Sequence, residues 1–130
     1  MDGDQSNETG GGYLTINEII IKALEQVGYP VRPAPYYKKA DTYFAFAINT
    51  IPGDYGDNAP GHEIHHVQAH FCCPLHHDSV EDRREAKRAM HEAGFVISGE
   101  TDMSDEDGQD HVIECEYAMG VDWREKRRRE

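Results

Sequence analysis

The sequence predicts an α+β domain in which two helices pack on one face of a mostly antiparallel β-sheet, in the order α-β-β-α-β(β). Three observations carry that reading: an amphipathic stripe behind a capping pattern at residues 15–18, a strand-forming run at 42–49, and period-two alternation over 111–123. A second, weaker amphipathic segment begins at Ser79, between the two strand signals.

Residues 1–13 are rich in Asp, Gly, Ser and Asn and include Gly10-Gly11-Gly12. Such a composition buries too little apolar surface to offset the entropy of ordering, so the stretch reads as a disordered arm ahead of one domain spanning 14–123. Thr15-Ile16-Asn17-Glu18 fits a capping box, in which the Thr15 hydroxyl accepts from the Glu18 backbone and the Glu18 side chain reaches back. Ile16, Ile19, Ile20, Ala23, Leu24 and Val27 recur at helical spacing, and Gly28 is placed to end the helix. Pro30, Pro33 and Pro35 then forbid helix and bias their predecessors to extended geometry. The aromatic and β-branched run at 42–49 suits a strand buried on at least one face, and 52–61 is a long, turn-rich loop. Ser79 followed by Glu81 and Asp82 resembles a second N-cap with an acidic first turn. Its helix has a modest apolar face of Val80, Ala86, Ala89, Met90 and Ala93, with Gly94 as the stop. Residues 95–97 begin a short strand, and 99–110 read as an acidic loop or hairpin tip with a turn signal at Asp107-Gly108. In the last strand Ile113, Cys115, Tyr117, Met119 and Val121 take one face, with His111, Glu114, Glu116 and Ala118 assigned to the other and Val112 staggered among them. Residues 124–130 form a charged, mostly basic tail.

Composition narrows the function classes. At 130 residues the chain supports one core. A formal net charge of -12 argues against holding nucleic acid by phosphate neutralisation, although DNA can pass nearby without sticking. No apolar run approaches the ~20 residues needed to cross a bilayer, and the acidic start at Asp2 and Asp4 lacks the basic and apolar regions of a signal peptide, so a soluble, cytoplasmic protein without membrane partners is expected. Three cysteines, two of them adjacent, do not make a disulfide framework and are expected to be reduced thiols.

The stretch HEIHHVQAHFCCPLHH, residues 62–77, holds six of the eight histidines and two of the three cysteines, so a metal site has to be weighed. His62-Glu63-Ile64-His65-His66 matches the pattern with which zinc peptidases place two histidines on one helix face, the glutamate activating the zinc-bound water. Pro60-Gly61 would start that helix on its own first ligand, and His70 is the only nearby substitute for a third. A strand explains more. It places Val67, Ala69, Phe71 and Cys73 in one apolar row facing the helices, with His66, Gln68 and His70 on the opposite face. Cys72 and Cys73 with His76 and His77 around Pro74 supply the donor types of a separate zinc site, but the spacing is not that of a zinc knuckle. The reading adopted is a polar strand face and a loop, with no cofactor and no catalytic residue. No nucleophile-elbow, Walker or glycine-rich phosphate motif is present, and Cys115 reads as a small core residue.

The run Ala23-Leu24-Glu25-Gln26-Val27-Gly28-Tyr29-Pro30-Val31, then Tyr36-Tyr37-Lys38-Lys39-Ala40-Asp41-Thr42-Tyr43-Phe44, resembles the opening of small tail-completion proteins of long-tailed phages, the tail-terminator or head-tail joining group. Arg88-Ala89-Met90-His91-Glu92-Ala93-Gly94-Phe95 is similar to the end of their second helix, and the acidic loop with the final strand to their closing hairpin. The histidine-rich strand and the charged tail depart from the pattern. The resemblance implies a structural virion subunit, not an enzyme, that forms a ring, usually hexameric, on the tail tube. Its partners would be copies of itself, the tail tube protein and a head-completion or connector protein, with DNA passing through the lumen without specific binding. It would be assembled in the host cytoplasm and reside at the head-tail interface. Loops that reach neighbours are the expected ring contacts, which selects Asp54, Tyr55 and Asp57 in one and Asp102, Asp105, Glu106 and Asp107 in the other. The rival readings are a zinc-dependent hydrolase using His62, Glu63 and His66, and a monomeric non-viral binding module.

Overall fold

A computed structural model of the chain describes residues 14–36, 40–52 and 62–120. Helix α1 (Ile16–Leu24) opens on the expected capping box, with Thr15 N donating to Glu18 Oε1 at 2.8 Å and Glu18 N to Thr15 Oγ1 at 3.2 Å. A 3-10 turn (Glu25–Val27) tightens its end, and Gly28 takes the left-handed conformation, φ 110°, that a side chain would strain. Strand β1 (Val31–Pro33) pairs in parallel with β2 (Tyr43–Pro52). Strand β3 (His62–Cys73) follows, then α2 (Val80–Glu92), β4 (Val96–Asp102) and β5 (Gln109–Gly120). The sheet runs β1-β2-β3-β5-β4, antiparallel except at β1.

The α+β class and the placement of both helices on one face agree with the sequence reading, with β1 as an added strand. That strand escaped notice because prolines dominate its neighbourhood; Pro33 is tolerated at the sheet edge, while Val31, 1% exposed, plugs the core. The segment 99–102 belongs to β4 and not to a loop, so the acidic turn shrinks to 103–108. Val80, assigned to the apolar face of α2, is instead exposed. The expected arm 1–13, the loop over 53–61 and the tail 124–130 lie outside the described residues.

The core forms between the helices and one face of the sheet. Cross-strand rows Phe44–Phe71, Phe46–Ala69–Ile113 and Ile48–Val67–Cys115 meet Ile20, Ala23 and Leu24 of α1 and Ala86, Ala89 and Met90 of α2. Phe44 and Phe71 pack with ring centroids 4.8 Å apart, as do Phe95 and Tyr117. Each large buried side chain contributes roughly 1.5–3 kcal/mol, and the alanines of the two helices let their backbones approach. The β3 alternation is as the sequence indicated: Val67, Ala69, Phe71 and Cys73 are buried, and Gln68 is exposed on the other face. Burial drives the Cys115 thiol up to about 12 and Cys73 to about 11, with Cys72 adding to the latter, so both stay protonated near neutral pH as core residues.

Candidate functional site

The histidine strand comes first. In β3, Glu63 and His66 lie on opposite faces because successive side chains alternate, so the geometry a helical zinc motif needs is not formed. Glu63 shares the helix-side face with His65, which is buried at 4% exposure. His65 Nδ1 shares a 2.7 Å hydrogen bond with Thr50 Oγ1, while its Nε2, 3.8 Å from Glu63 Oε1, has no hydrogen-bond partner among the described residues. On the open face His66 Nδ1 lies 3.5 Å from Glu116 Oε2, and His70 Nδ1 is 2.9 Å from Asp110 Oδ1. Four strand residues separate those imidazoles by ~13 Å, too far for one ion. Tyr43 bonds Cys72 on the same face; burial first, and that thiol next, push the phenol up to about 12.

The turn after Pro74 gives its two histidines different surroundings. His76 is exposed, whereas His77 Nε2 pairs with Asp82 Oδ2 at 2.7 Å, an oxygen that also accepts from Tyr29 at 3.0 Å. Tyr29, His77 and Phe71 then stack edge to face or tilted. Among the described residues no group of three His, Cys, Asp or Glu side chains converges on a metal-sized centre. His62 lies in β3, paired with Gly120.

A polar cluster that sequence reasoning missed sits at the start of α2. Ser79 occupies the N-cap position without capping; its hydroxyl donates instead to Gln109 Oε1 at 2.9 Å and accepts from Arg83 Nε at 3.1 Å. His111 Nε2 reaches the same Gln109 oxygen at 2.8 Å. The Gln109 amide nitrogen lies 2.7–3.0 Å from the carbonyls of Pro74, Leu75 and His77, which fixes its orientation. Asp102 Oδ1 is 3.9 Å from His111 Nδ1, so the residue types match a hydrolytic triad. The protons do not: both Ser79 Oγ and His111 Nε2 point at Gln109, leaving no imidazole lone pair for the hydroxyl. The cluster ties the 74–79 turn to β5. Strand parity was the available signal, because His111 shares the inward face with Ile113 and Cys115, against its assignment to the other face.

Of the proposed contact residues, Asp54, Tyr55 and Asp57 lie outside the described residues, and Asp102, Asp105, Glu106 and Asp107 are exposed on the β4–β5 hairpin. The turn closes between Asp105 and Gly108, with Asp105 N donating to Gly108 O at 3.0 Å. Asp105 Oδ1 accepts from Asp107 N and Asp102 Oδ1 from Ser104 N, while Glu106 and Asp107 are exposed. Hydrogen bonds from Ser104 hold the Asp102 carboxyl below its usual range. Behind the hairpin Glu100 receives Arg83 Nη1 at 2.7 Å and Lys87 Nζ at 2.6 Å. Burial alone would raise its pKa, but the two cations outweigh that and lower it.

No family model matches this chain, and no curated protein does. A solved structure does. The chain is similar to a chain of the virion of the native gene transfer agent (GTA) particle, with a TM-score of 0.54 at 15% identity, covering 75% of this chain and 84% of that one. At that identity the likeness is one of fold. Among the described residues the fold presents an open sheet face lined by Asn49, His66, Gln68, Ser98 and Glu114, a groove between the helices lined by Leu14, Ala23, Ala89, Ala93 and Tyr117, and the outer margins of the sheet.

Proposed function

We propose that this chain is a structural virion protein, a tail-terminator or tail-completion subunit that forms a ring on the end of a tail tube and joins it to the head connector. The observation that carries the reading is the fold shared with a chain of the gene transfer agent virion over most of both lengths. The motifs at 23–31, 36–44 and 88–95 point the same way. The partners of such a subunit are further copies of itself, the tube protein and a connector protein. Its acidic surface suits a lumen through which DNA slides, since like charge prevents phosphate binding. Among the described residues the zinc-hydrolase alternative lacks the helix its motif requires.

The test is native mass spectrometry and negative-stain imaging of the purified chain, alone and mixed with tail tubes. Closed rings, free or capping tube ends, are the expected result. A monomer that ignores tube ends would overturn the reading, and one tightly held zinc per chain with peptidase activity would replace it.

A further inference from the structure

The two margins of the sheet are built differently. β4 carries Glu100 and Asp102 and is interrupted by a register shift between Ile97 and Gly99, both devices that discourage pairing with another chain. At the opposite margin β1 covers only part of β2: Val31, Arg32 and Pro33 pair with Phe44, Ala45 and Phe46. The bonds Phe44 N to Pro30 O, 2.8 Å, and Ala34 N to Phe46 O, 2.7 Å, show which β2 groups face that side. A strand residue directs its N–H and C=O to one edge, and the next residue directs them to the other. Ile48 and Thr50 therefore present both groups outward past the end of β1, and among the described residues no strand takes them. The stretch Ala47-Ile48-Asn49-Thr50-Ile51 carries no charge, and Asn49, Thr50 and Ile51 are exposed. In an otherwise acidic chain this is an unguarded edge of the kind that accepts an added strand.

We propose that the 47–52 edge receives residues 121–130 of a second copy of this chain, added as a strand. The inference rests on the ring reading and names its subunit contact. Gly120, the last described residue of β5, pairs with His62, at the same end of the sheet as Pro52 of β2. Ten extended residues span at most ~35 Å, enough to cross a subunit boundary and line an edge of ~17 Å. Residues 124–130 hold five of the thirteen Lys and Arg but only two of the 25 Asp and Glu, so the segment is drawn to another acidic copy. Each subunit gives a strand to one neighbour and takes one from the other, the head-to-tail contact from which rings close.

Trp123, the single tryptophan, makes the segment observable. Sedimentation velocity and tryptophan emission are followed over a concentration series of the full chain, with Ile51→Lys, Ile51→Glu and, as a second edge variant, Asn49→Lys; thermal melts check that each folds. Assembly and a blue shift of Trp123 should share one midpoint; the lysine variants should raise it at least ~10-fold, and Ile51→Glu should leave it within about threefold, because a carboxylate there meets a basic strand. Rings that form equally well with lysine at the edge would overturn this contact while the ring reading stands. Equal weakening by Lys and Glu would overturn the basic segment as occupant, and a blue shift independent of concentration would place the segment on its own chain and overturn exchange between copies. A monomer at every concentration that also ignores tube ends would remove the ring reading itself.

Discussion

Gln109 gathers five polar groups around one amide: its oxygen takes the protons of Ser79 and His111, and its two N–H protons are shared among the carbonyls of Pro74, Leu75 and His77. Removing it strands buried groups that water cannot reach, since Ser79 and His111 are 4% and 7% exposed. Gln109→Leu should therefore destabilise the fold by about 2–4 kcal/mol, read as a lower urea midpoint at unchanged slope. His65 is a smaller case of the same physics. With Nε2 already unpartnered, Thr50→Val leaves the buried ring with no hydrogen bond among the described residues, at a cost of about 1–3 kcal/mol by the same measurement. Neither effect was readable from residue type alone, because a serine before an acidic turn is an N-cap by default and only the fold shows its hydroxyl turned to Gln109.

At the scale of elements, α1 was legible almost atom by atom, since a capping box, a helical stripe and a stopping glycine are all local signals. The inward row of β3 was equally legible from period-two alternation, which is why the metal pattern yielded to a strand. What could not be read was non-local. β1 forms only because β2 lies beside it, and the end of β4 was mistaken for loop because Glu100 looks solvated until Arg83 and Lys87 arrive from α2. That α2–β4 link gives a pH test. The Glu100 pKa is lowered on folding from its ordinary 4.5, so its stabilisation is complete above that value and is lost as pH falls through the lower folded value. Glu100→Gln should cost ~1 kcal/mol at neutral pH, and the difference from wild type should shrink as pH falls below the ordinary glutamate value and vanish once the folded carboxyl is protonated. Within the core, Phe71→Ala removes a fully buried ring from between Tyr29 and Phe44 and should cost about 3–5 kcal/mol, measured as a drop in melting temperature.

Over the whole molecule, charge and surface decide what the domain can do. With 25 acidic against 13 basic residues it should give no mobility shift with duplex DNA at physiological salt, and under the ring reading a shift would count against a lumen that DNA merely crosses. The helix groove described above holds one more consequence. Leu14, the first described residue, and Tyr117, three residues before the last described one, line the same groove, so the two ends of the described chain lie on one side of the domain. Under the ring reading, labels attached at positions 14 and 117 will mark a single latitude on an image of the ring. Under the same reading, telling one pole of the ring from the other calls for a label at the Glu106–Asp107 tip, which lies at the end of β5 opposite Gly120.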